Sequence, residues 1–140
     1  MKSRQSLIRL KTFQVDEKRR QVSQIDQMIG DFQLMAEELD KQIVVEQEKA
    51  GIHDVSHFAY PTFAKAAAER RGNLQASIQD LQQQRGAAQE VLEEAIGELK
   101  KVELLEERDQ ERNRHNRDME EQDMLDEIAM QRRNDPGMIG

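Results

Sequence analysis

Cysteine and tryptophan are absent from this chain, proline occurs twice, and only five of its 140 residues are aromatic. Each shortage removes a class of protein. Without cysteine there is no disulfide framework, no thiol nucleophile and no Cys-based zinc site. With 36% apolar and 4% aromatic residues against 35% charged, the chain is too lean for a globular core and has enough apolar surface for little more than a seam. No stretch approaches the about 20 consecutive apolar residues of a membrane span, and the first twenty residues lack the apolar run of a secretory signal. The expectation is a soluble, cytoplasmic protein of one elongated domain.

What is present is periodicity. Apolar residues recur every three and four positions from 8 to 43 and from 64 to 102, and no proline interrupts residues 1–60. A disordered chain of this polarity would not keep such spacing. With Ile8 at heptad position a, the a row runs through Val15, Val22, Ile29, Ala36 and Ile43, and the d row through Lys11, Lys18, Ile25, Phe32, Leu39 and Glu46. Nine of these twelve are apolar, where composition alone would give about four. In the second stretch one row holds Ala67, Leu74, Leu81, Ala88, Ala95 and Val102, and the other Arg71, Ile78, Arg85, Leu92 and Leu99. A strict seven-residue repeat over this length predicts an all-α fold, a long two-helix antiparallel coiled-coil hairpin with left-handed supercoil.

The expected boundaries are helix 1 at 1–50, a tip loop at 51–60, helix 2 at 61–133 and a flexible tail at 134–140. Gly51 suits the left-handed residue that ends a helix, and Pro61 suits the first turn of the next. Two registers satisfy the seam. One pairs Ile8 with Val102, Val15 with Ala95, Val22 with Ala88, Ile29 with Leu81, Ala36 with Leu74 and Ile43 with Ala67. The other, slid by a heptad, sets Lys11 against Glu106 and Glu46 against Arg71 but leaves Ile8 facing Asp109. In either, helix 2 overhangs beyond about residue 109–116, because Met1 lies opposite that point and nothing on helix 1 reaches further.

The overhang begins with a stretch, 106–118, that has no apolar side chain, where i, i+3 and i+4 charge pairs such as Asp109 with Arg112 are expected to keep the helix formed. Beyond it, Met119, Met124, Leu125, Ile128 and Met130 are expected to restore an apolar stripe before Asn134, Asp135, Pro136 and Gly137 stop the helix. That stripe either packs on its own hairpin or meets a partner, a role for which methionine is well suited.

Charge is unevenly spread. Residues 2–20 hold seven Lys/Arg against Asp16 and Glu17, a net +5, so the remainder carries −12 within the total of −7. The ordinary explanation is that the basic stretch lies beside Glu90, Glu93, Glu94, Glu98 and Glu103 of the returning helix. Nucleic acid is a poor fit, because the acidic total repels phosphate and no aromatics interleave the cations. Aromatics instead collect at the bend, where Phe58, Tyr60 and Phe63 either plug the open end of the coiled coil or present an anchor. Gly30, Gly72, Gly86 and Gly97 fall off the seam, where they weaken the helix locally.

Catalytic chemistry finds no foothold. His53 and His57 bracket a loop and specify no third metal ligand. There is no glycine-rich phosphate loop, serine nucleophile elbow or HExxH, and a two-helix rod lacks the desolvated concavity an acid–base pair needs. No enzyme activity, cofactor or metal is expected.

Three strings resemble a known family. The opening Met-Lys-Ser-Arg-Gln-Ser-Leu-Ile-Arg-Leu-Lys-Thr-Phe-Gln-Val-Asp-Glu-Lys-Arg-Arg, the tip His57-Phe58-Ala59-Tyr60-Pro61-Thr62-Phe63-Ala64-Lys65, and Leu99-Lys100-Lys101-Val102-Glu103 are similar to the bacterial flagellar export protein family FliJ in its alphaproteobacterial form. The resemblance implies an antiparallel coiled coil like the stalk of the rotary ATP synthase gamma subunit. It implies a rod seated in the hexameric export ATPase at the flagellar base, engaging the cytoplasmic part of the membrane export gate and handling export chaperones. About 45 residues per paired arm span about 70 Å, long enough to pass a ring and reach beyond it. On that basis, exposure selects Arg9, Lys11, Lys18, Arg19 and Arg20 of the basic arm, with Met124, Leu125 and Ile128 of the overhang, as contacts to the ring. Phe58, Tyr60 and Phe63 are selected as contacts at the tip. The alternative from another class is a generic scaffold or a prefoldin-like holdase, for which residues 51–61 are too short to supply the strands.

Overall fold

The computed structural model describes residues 2–134; the stop at 135–137 and the rest of the expected tail lie outside them. Two helices account for nearly all of this span, α1 at Lys2–Ala50 and α2 at Thr62–Asn134, packed against each other as an all-α hairpin without strands among the described residues. They run 49 and 73 residues, and the paired portions draw most of their stability from burial of the seam rather than from helix propensity.

α1 ends where the Gly51 N–H donates to the Gln47 carbonyl at 2.8 Å with Gly51 at φ 69°, the left-handed cap for which glycine has no steric penalty. α2 starts directly after Pro61, whose carbonyl accepts the Lys65 N–H at 3.1 Å. Between them Asp54 accepts from the Ser56 N–H at 3.0 Å and the Ser56 hydroxyl at 2.7 Å, and these two donors hold its carboxyl below the ordinary range.

Packing divides the chain into two units. In the unit of residues 12–96, Val15, Val22, Ile29 and Ala36 of the a row are buried against Ala64, Ala67, Ile78, Leu81 and Leu92 of α2. Every other seam position there is half-buried, the polar Lys18, Glu46, Arg71 and Arg85 included. Ile29, Ile78 and Leu81 form the core, with Ile25 and Phe32 against it. Each fully buried aliphatic side chain contributes about 1.5–3 kcal/mol.

These contacts decide the register. Ile29 meets Leu81, and Arg85 and Arg71 form ion pairs with Asp26 and Asp40, all consistent with Ile29 opposite Leu81 rather than a heptad away. In the slid register Arg71 would face Glu46, which is instead 4.0 Å from Lys49 on its own helix. The two arginines explain how α2 tolerates cations in its seam. Their aliphatic stems cover apolar surface while the guanidinium reaches an aspartate at its edge.

The second unit comprises the first eleven residues with residues from 97 onward. Ile8 and Lys11 of α1 and Leu99 and Val102 of α2 are half-buried there, and Glu106 is buried. Arg4 ties the end together, its Nη1 3.5 Å from Glu106 Oε2 and also bonded to Asp109. Gln110 Nε2 donates a hydrogen bond to the other Glu106 oxygen, Oε1, at 3.4 Å. The Asp109 carboxyl therefore serves Arg4 and is held below its usual range chiefly by that hydrogen bond. The expected attraction to Arg112 along α2 adds to this, behind the contribution of Arg4.

Candidate binding surfaces

Outside the narrow seam, most residues of both helices are exposed. Among the described residues no group of three His, Cys, Asp or Glu is arranged for a metal ion, and no helix is long and apolar enough to cross a membrane. His53 and His57 sit in the loop, where His57 Nδ1 accepts the Ala59 N–H at 3.0 Å.

At the tip the three aromatics separate. Tyr60 is 9% exposed, and its hydroxyl accepts from Gln47 Nε2 at 2.9 Å. It lies one heptad before Ala67, so it extends the α2 row and closes the seam. Phe58 is 97% exposed, stacked only on the His57 ring at 4.8 Å, and Phe63 is 56% exposed. Tyr60 thus takes the plugging position, while Phe58 and Phe63 remain in solvent.

On the basic arm, Lys11 and Lys18 occupy d positions and are half-buried, whereas Arg9, Arg19 and Arg20 are exposed. Of the five glutamates expected beside this stretch, Glu98 is held by Lys11 at 2.9 Å, and that bond draws its carboxyl below the ordinary range. The Arg4, Glu106 and Asp109 cluster went unnoticed in the sequence. Its signal was there, since Arg4 precedes Lys11 by a heptad, and Glu106 and Asp109 follow Leu99 and Val102 by one.

On α2 every residue from 111 to 133 is exposed. The expected apolar stripe is not one stripe. A continuous α-helix turns 100° per residue, which gathers Met124, Ile128 and Leu125 within about 100° of arc and sends Met119 and Met130 to the opposite side. The three candidate residues of the overhang therefore share a face, and the two outer methionines belong elsewhere.

The described residues thus form an all-α coiled-coil hairpin whose tip and C-terminal helix carry exposed apolar side chains. The family model described as Flagellar FliJ protein matches residues 1–137, and the chain belongs to that family, which makes it a component of the flagellar export apparatus. No curated protein and no solved structure matches the chain.

Proposed function

We propose that the chain is a non-enzymatic stalk of the flagellar type III export apparatus, seated in the export ATPase ring and coupling it to the export gate and to export chaperones, in the cytoplasm at the flagellar base. The supporting observation is the run of exposed helix after residue 110, which carries the apolar face of Met124, Leu125 and Ile128 with no mate on its own hairpin. An exposed apolar helical face suits insertion against a larger assembly. The exposed Arg9, Arg19 and Arg20 add a cationic flank for an acidic partner. Phe58 and Phe63 at the turn form a second, separate contact suited to the gate.

The test is ATP turnover by the matched export ATPase with the purified chain added below one copy per hexamer. Stimulation is expected, weakened by Lys18→Glu with Arg19→Glu and by Leu125→Ser with Ile128→Ser. Lys11→Glu is a poorer probe because it also breaks the contact with Glu98. No stimulation at any ratio rejects the stalk role, and a pull-down from a flagellated cell lysate identifies what the chain holds instead.

A further inference from the structure

The apolar face of the overhang does not end at its three apolar residues. Helical spacing places Glu121 one turn before Leu125 and Arg132 one turn after Ile128, on the same side of α2. Along the axis that face runs acid, three apolar side chains, base, and all five residues are exposed.

This order is complementary to itself when reversed. If the helix is turned end for end about the point between Asp126 and Glu127, Leu125 comes opposite Ile128, Met124 opposite Ala129, and Glu121 opposite Arg132. Each match occurs twice by symmetry. Asp123, Asp126 and Glu127 fall on the far side, so like charges do not meet in the contact. One surface patch that fits its own copy through a two-fold axis is the requirement for an isologous pair.

We propose that residues 121–132 of α2 pair antiparallel with the same residues of a second copy of this chain, through Met124, Leu125 and Ile128 flanked by reciprocal Glu121–Arg132 ion pairs. Three apolar side chains per copy put this contact among the small, transient interfaces. The proposal does not depend on the stalk role, but it uses the overhang face assigned to the ring, so self-pairing and ring insertion exclude each other.

Sedimentation velocity of the full chain from about 5 µM to about 1 mM, the range in which weak contacts dissociate, tests the pairing without any ATPase present. A monomer–dimer equilibrium is expected, weakened by raising the salt concentration. Glu121→Arg alone and Arg132→Glu alone should each weaken dimerisation by about tenfold or more, because each sets like charges face to face twice. The two substitutions in one chain restore a pair of opposite charges and should recover the dimer. That double variant should not pair with the wild-type chain. Circular dichroism should stay constant, since all these positions are exposed. A wild-type chain that stays monomeric throughout, single variants that dimerise unchanged, or a double variant that fails to recover would each overturn the proposal.

Discussion

Gln47 and Tyr60 face each other across the turn, the amide Nε2 donating to the phenolic oxygen at 2.9 Å. This bond and the burial of the ring close the seam at the tip. Tyr60→Phe should cost about 1 kcal/mol, the worth of one hydrogen bond, and Tyr60→Ala about 3–4 kcal/mol. Phe58→Ala, at a side chain almost wholly in solvent, should change stability by less than about 0.5 kcal/mol. Urea unfolding of the three variants checks the order.

The register can be tested by cross-linking, since the natural chain offers no competing thiol. Val22→Cys with Ala88→Cys places two cysteines in one seam layer and should oxidise readily to a disulfide. Val22→Cys with Ala95→Cys should not, because those positions meet only if the helices slide by a heptad, and a seven-residue offset along a helix is about 10 Å, beyond disulfide reach. Gel mobility with and without reductant reports both.

Acid should loosen the N-terminal end of α1. Arg4 depresses the Asp109 carboxyl and Lys11 depresses that of Glu98 relative to ordinary values of 3.8 for Asp and 4.5 for Glu. A carboxylate with a lowered folded pKa stabilises the fold above its unfolded pKa, and that contribution disappears as pH falls through the folded value. The contacts should therefore be intact at neutral pH and fail below the ordinary carboxylate range. Amide exchange of residues 5–11, corrected for intrinsic rates, should rise between about pH 5 and about pH 2, and Asp109→Asn should produce part of the rise at neutral pH.

Glycines separate into two kinds. A methyl group built on Gly72 or Gly86 meets nothing within 4 Å, so Gly→Ala at either should stabilise the helix by about 0.5–1 kcal/mol. Gly51 also has open space but sits at φ 69°, and Gly51→Ala should destabilise by about 1–2 kcal/mol. Thermal melts of the three variants should show the opposite signs.

Periodicity made the hairpin legible, because two helices with narrow apolar rows have little choice but to bury them on each other. All the seam positions counted by heptad, Lys11, Lys18, Glu46, Arg71 and Arg85 among them, are buried or half-buried. Register was not legible, since Ala and Leu recur at seven-residue spacing and fill either alignment. It is resolved by Asp26 and Asp40, which lie beside the seam and so outside the heptad rows. Tyr60 and Phe58 are both aromatic and close in sequence, but only Tyr60 continues the row of Ala67. The five apolar residues of the overhang are close in sequence too, but the 100° step per residue separates Met119 and Met130 from the rest. Counting heptads outward from known rows would have found Arg4, Glu106 and Asp109.

The pairing of the two helices also sets a timetable for synthesis. Gln47 and Tyr60 are 13 residues apart, but Arg4 and Asp109 are 105 apart. At about 5–20 residues per second, the first turn of α1 leaves the ribosome about 5–20 s before its mate exists. For the earlier part of that interval Val15, Val22 and Ile29 ride a nascent amphipathic helix, each uncovered until the α2 residue opposite it is made. The earliest part of the chain to be made is the last to find shelter, and cellular holdases have their opening there.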